Sequence, residues 1–211
     1  ISAWNLEKGD YQIYIGNDSA RCITSGSGIY IGNYSGRCIE TGHSNVAIGS
    51  SAMWKSVGAA RTVAIGNSAG RNYNGGSSGS TFVGTEAGYN VTTGNANTLF
   101  GVEAAKHTTT GNGNVVLGHQ GLYCNTTGCY NVAVGHLSLY ANTTSGGNVG
   151  VGTYTLAANT IGTCNVAMGY QSLCRNTTGS CNVAIGTESS KFNTTGRNNV
   201  AVGYRALCLN T

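Results

Sequence analysis

Four kinds of side chain recur in this sequence at intervals that could support chemistry. The eight cysteines include no Cys-x-x-Cys, the arrangement a zinc module uses. Six of them nevertheless fall into pairs, Cys22 with Cys38, Cys164 with Cys181, and Cys124 with Cys129, and each pair is a candidate disulfide. Cysteine use at this level favours an oxidising compartment, although free thiols fit as well. His119 and His136 hold equivalent places and could offer two imidazoles to a metal where three chains meet. The plainer reading is two exposed turn residues, so no metal and no cofactor are expected. A third set reads Arg21, Arg37, Trp54, Arg71, Tyr89, Lys106, Tyr123 and Tyr140, continuing through Ala157, Cys174, Lys191 and Cys208. Of these, Arg37, Trp54, Arg71, Tyr89, Lys106, Tyr123 and Tyr140 are the candidate ligand-binding residues, able to hold a polysaccharide or another fibre on an outward column. Their alternative role is a solvated face whose long stems shield strand edges. Last, Asn90, Asn125, Asn142, Asn176 and Asn193 each open an Asn-x-Thr sequon, although Asn-Thr-Thr-Gly is also simply a good turn. No histidine has a carboxylate or nucleophile at a matching position. No catalytic residue is expected, and the chain reads as a non-enzyme.

The spacing that relates these residues is the main signal. A glycine follows an apolar residue at Gly16, Gly32, Gly49, Gly66, Gly84, Gly101, Gly118, Gly135, Gly152, Gly169, Gly186 and Gly203. The steps are 16, 17, 17 and 18, then 17 seven times. A strict period of this size marks a solenoid, with one coil per repeat. In Asn182-Val183-Ala184-Ile185-Gly186, β-branched residues alternate with alanine at the two-residue period of a strand. A second short strand is expected around the small residue and leucine that follow, as at Ser138-Leu139. Asn-Thr-Thr-Gly then turns the chain back. The 16- and 18-residue steps should be absorbed in turns, the extra residue within 74–79. Identical residues form columns: Asn45 recurs as Asn97, Asn114, Asn131, Asn148, Asn165, Asn182 and Asn199, and Asn125 as Asn142, Asn159, Asn176, Asn193 and Asn210. Stacked amides of this kind can satisfy one another. The expected fold is all-β: residues 1–10 irregular, residues 11–211 a parallel β-solenoid of about twelve 17-residue coils.

Composition narrows the function. Charged residues make up 9% of the 211 and there is no proline, while glycine reaches 34; globular enzymes carry far more charge. A net charge of +4 is too small and scattered for a nucleic-acid partner. No long apolar run supports membrane insertion. The start carries no signal-peptide pattern, and Ile1 reads as a position in a longer or processed product. Few apolar positions per coil, with alanine on the strand's second face, suggest an oligomer whose chains approach through that alanine face, with trimer preferred. Tyr14, Tyr30 and Phe82 on that face should splay the chains or plug a shared axis.

The Asn-Val-Ala-Ile-Gly strand resembles the head repeats of YadA-type trimeric autotransporter adhesins. The longer pattern, Asn-Val-Ala-Val-Gly, two variable residues, small-Leu and Asn-Thr-Thr-Gly, is similar to repeats of phage and virus tail fibres. The resemblance covers about residues 11–211 and implies a left-handed β-roll, a parallel homotrimer and a surface-fibre role. The period is longer and the cysteines more numerous than in autotransporter heads. The expected function is therefore a structural or adhesive shaft or head of an extracellular fibre on a cell or virion surface, its partner a surface glycan or protein receptor. The alternative is an extracellular filament of like subunits joined end to end, docking residues 1–11 near Leu209. An ice-binding solenoid ranks last.

Overall fold

The computed structural model describes residues 12–24, 26–75 and 79–209. Each coil contributes one short strand: β1 Gln12–Ile15, β2 Gly28–Ile31, β3 Asn45–Ile48, β4 Val63–Ile65, β5 Thr81–Val83, β6 Thr98–Phe100, β7 Val115–Leu117, β8 Val132–Val134, β9 Val149–Val151, β10 Val166–Met168, β11 Val183–Ile185 and β12 Val200–Val202. The twelve form one parallel sheet in chain order. No helix forms among the described residues. Pairing is residue for residue with the repeat, for example Val132↔Val149 and Ala133↔Gly150. The irregular steps sit where turns can take them. Asn74 donates its N–H to Thr92 and Val63 pairs with Thr81, so the eighteenth residue lies between Asn74 and Thr81. Residues 76–78, at the centre of that expected bulge, lie outside the described residues, as does the segment 1–11.

The second strand of each coil is absent. The opposite wall is a run of overlapping turns in which left-handed residues alternate with right-handed ones: Leu137 and Leu139 have φ of +55° and +54°, and Gln120 and Leu122 of +52° and +53°. Non-glycine residues rarely adopt this conformation, so the wall needs compensation. Hydrogen bonds between coils supply it. The N–H groups of Leu122 and Cys124 donate to Ser138 and Tyr140 of the next coil at 2.9 and 3.0 Å, while Asn125 closes a turn onto Leu122 at 3.2 Å. Turns advance less per residue than an extended strand, which lets a long stretch of chain span the width of a three-residue strand.

The motif glycines are fixed by stacking. Gly101 has φ of +135°, and a Cβ there would come within 2.3 Å of the Gly118 carbonyl oxygen of the next coil. Only a residue without a side chain fits both constraints.

The alanine face corrects the expected packing. Ala47, Ala64, Ala133, Ala167 and Ala184 are fully buried within the single chain. They point into the lumen of the coil against the turn wall, and the valines and isoleucines that flank them point outward. Tyr30 and Phe82 likewise fill the chain's own interior. They face glycines: a Cβ on Gly36 would lie 2.2 Å from the Tyr30 ring, and one on Gly88 would lie 2.5 Å from Phe82. The lumen is about one large side chain wide, so alanine sits opposite Leu139 or Leu173 and an aromatic ring sits opposite glycine.

Candidate functional site

Two outward surfaces and one buried one concentrate the chemistry. The buried one is the pair of asparagine columns. Asn114 donates from its backbone N–H and its Nδ2 to Asn97 Oδ1 at 2.9 and 3.2 Å, and from Nδ2 to the Gly128 carbonyl at 3.0 Å. The pattern repeats at Asn131, Asn148, Asn165, Asn182 and Asn199. The second column is built alike, with Asn142 Nδ2 on Asn125 Oδ1 at 3.0 Å and Asn176 Nδ2 on Asn159 Oδ1 at 2.8 Å. Asn125, Asn142, Asn176 and Asn193 are buried, so these four sequons present no amide to a glycosylating enzyme in the folded chain. A neighbouring threonine column reinforces the turn, each Oγ1 donating to the next coil's threonine carbonyl at 3.1 Å from Thr92 to Thr177.

The cationic and aromatic column forms a ladder on the turn wall, as the register requires. The Arg37 guanidinium lies 5.1 Å from the Tyr34 ring centre. Arg71 lies 4.0 Å above Trp54 and 5.3 Å from Tyr89, donating to the Tyr89 hydroxyl at 2.5 Å. Lys106 approaches Tyr123 at 5.9 Å, and Tyr123 stacks on Tyr140 at 5.3 Å with planes 5° apart. The ladder's acidic partners escaped the sequence reading. Lys106 Nζ sits 2.6 Å from Glu86 and 2.7 Å from Glu103, and Lys191 sits 2.8 Å from Glu188. The three-residue spacing of Glu103–Lys106 and Glu188–Lys191 was the available signal. Hydrogen bonds from Lys106 and Gln120 hold the Glu103 carboxyl below the ordinary carboxylate range, and those same acids raise Lys106 further. Desolvation, with Cys124 and Tyr123 alongside, lifts the Tyr140 phenol above its usual value.

This geometry limits what the ladder can hold. Rings stacked along the coil axis spend their faces on one another and offer only edges and hydroxyls outward. The run ends at Tyr140, because the next two positions are Ala157 and Cys174. His119 and His136 stack at 5.3 Å, both exposed, and His136 meets Tyr154 edge-on at 5.6 Å. No group of three metal-ligating side chains assembles among the described residues.

All eight cysteines are free thiols, so none of the three expected pairs is bridged. Cys22 and Cys38 occupy equivalent places on neighbouring coils, as do Cys164 and Cys181. Parallel side chains one coil apart stand ~4.8 Å from each other, beyond the ~3.5–4.5 Å Cβ separation of a disulfide. Burial pushes the Cys124 and Cys174 thiols up.

The second outward surface was not expected. It consists of the two apolar columns that flank the buried alanines on the sheet. One runs through Ile13, Val115 and Val200; the other runs through Ile15, Ile65, Phe100, Leu117, Met168, Ile185 and Val202. All of these are exposed, Leu117 by 52%. At its start the first column lines a groove of about 480 Å³ with Gln12, Ile13, Gly28, Ile29, Asn45 and Val46. Comparison with protein-family models, curated proteins and solved structures finds no match to this chain.

Proposed function

We propose that this chain is the shaft of an extracellular fibre, a parallel homotrimer of left-handed solenoids with no catalytic role. One observation carries the reading: the outward face of the sheet is apolar over nearly its whole length, interrupted by Thr81 and Thr98. Twelve strands at ~4.8 Å and two columns of side chains make a band on the order of 600 Å², at the upper limit of the apolar patch on a typical monomer. A straight, self-complementary band suits identical chains laid side by side in register. The alanines have no part in this contact. The ladder on the opposite wall stays outward, where its edges and hydroxyls, and the Tyr140 face above Ala157, suit a surface glycan or protein receptor.

Replacing Val115 and Leu117 by lysine tests the interface. Sedimentation should give a trimer for the parent chain and a monomer with unchanged β-sheet circular dichroism for V115K/L117K. A parent chain that sediments as a monomer at micromolar concentration overturns the reading. A second reading is favoured by the last coil. β12 has no strand beyond it, and Val200, Val202 and Leu209 are exposed; an unpaired edge of this kind templates pairing. Subunits joined end to end would give long uninterrupted rods in electron micrographs, where a shaft gives discrete spikes.

A further inference from the structure

The free thiols at one corner of the solenoid form a ligand pair, and this holds whether or not the fibre reading does. Cys164 and Cys181 each precede an asparagine of the first ladder. Both have left-handed backbones, φ +56° and +60°, and both are exposed. Their amides donate to equivalent carbonyls one coil back, Gly146 at 3.3 Å and Thr163 at 3.0 Å, and their strands pair in register, Val166↔Val183. The two side chains are therefore copies displaced by one coil, ~4.8 Å. On the N-terminal side the column continues with Gly147, where an added Cβ would lie 3.4 Å from Cys164 Sγ. On the other side it continues with Asn198, so no cation in the column opposes a bound ion.

A thiolate–metal bond is ~2.3 Å, so two thiolates on opposite sides of one ion stand about 4.6 Å apart. That matches the coil spacing. A disulfide does not, because its Cβ atoms must close to ~3.5–4.5 Å. Soft closed-shell ions such as Cu(I) and Ag(I) prefer thiolate ligands and accept two in a line. We propose that Cys164 and Cys181 together bind one soft monovalent cation. Binding forms two metal–sulfur bonds and releases the two thiol protons, with no change of oxidation state. The Cys22–Cys38 pair has the same displacement but is followed in its column by Lys55, whose ammonium opposes a cation there.

The test uses Ag(I) as the probe, because it needs no reductant, with glutathione as competitor. In the full chain with the other six cysteines replaced by serine, one Ag(I) should be retained. Adding Cys181→Ser should weaken retention roughly 100-fold, the loss of an intramolecular second ligand. Moving the pair one coil along, with Cys164→Ser and Asn198→Cys beside an intact Cys181, should restore it. If serine replacement unfolds the chain, Cys181→Ser alone in the parent should lower retained Ag(I) by one ion. Equal affinity with one thiol or two overturns the proposal. So does a mass for the air-exposed two-thiol chain that is lower by both thiol hydrogens, since the pair would then be a disulfide.

Discussion

Asn148 shows how much one residue does in this molecule. Its Nδ2 donates to Asn131 Oδ1, Ser145 Oγ and the Gly162 carbonyl at 3.3, 3.2 and 2.9 Å, while its Oδ1 accepts from the N–H and Nδ2 of Asn165 at 3.0 and 3.2 Å. Asn148→Ala leaves several buried groups unpaired and should cost about 3 kcal/mol in denaturant unfolding. The glycine column allows a sharper comparison. Gly101→Ala meets both a forbidding φ and a carbonyl at 2.3 Å, whereas Gly203, with φ of +122°, has nothing within 4 Å. The first substitution should destabilise by more than about 3 kcal/mol and the second by about 1–2 kcal/mol, from backbone strain alone. At Glu103 the folded carboxyl titrates below its unfolded value. Its contribution is therefore present above the usual carboxylate range and is lost as pH falls through the lowered folded value. Lys106→Gln removes the leading cause, so an NMR titration should show the Glu103 midpoint move up.

At the scale of the element, the two walls of a coil are matched in volume. Phe82 faces Gly70 and Gly88, and Gly150 is crowded by Ser138, Thr155 and Leu139. Phe82→Ala should cost about 3–5 kcal/mol and Gly88→Leu about 1–3 kcal/mol. The double variant should cost less than their sum by more than about 1 kcal/mol in a urea-unfolding cycle; strict additivity would show that the two sites do not share a cavity. This matching explains what was legible in the sequence. The period, the strand at Asn-Val-Ala-Ile-Gly and both asparagine ladders follow from recurrence alone. The direction in which the strand faces does not, because alternation of valine with alanine is symmetric about the chain. Only the leucine across the lumen decides that alanine turns inward. The turn wall was misread as a second strand because small-Leu has no local mark of alternating handedness. Its evidence lies in hydrogen bonds to residues a full coil away.

For the whole molecule, the energetics are those of neighbours. Each coil bonds the one before and the one after, as Cys124 with Tyr140 and Ala141 with Ala157. Stability should therefore scale with coil number. Deleting residues 119–135 removes one period and rejoins Gly118 to His136 in register. The product should keep its β-sheet circular dichroism and unfold at somewhat lower denaturant. Deleting residues 119–134 instead shifts every inward residue downstream by one place, turning valines into the lumen and alanines out. It should fail to fold beyond the junction, read as lost β signal and protease sensitivity.

The hydrogen bonds also give the rod a direction. Along the turn wall the N–H groups of Leu122, Cys124 and Thr126 all point toward the following coil, whereas in the asparagine ladders it is the amide oxygens that point that way. One end of the stack therefore offers donors where the other offers acceptors, and the ladders carry the opposite polarity beside them. Two like ends brought together would set donor against donor and oxygen against oxygen. Joining is vectorial: only unlike ends are complementary, and any assembly grown along this axis has a plus end and a minus end fixed by its chemistry.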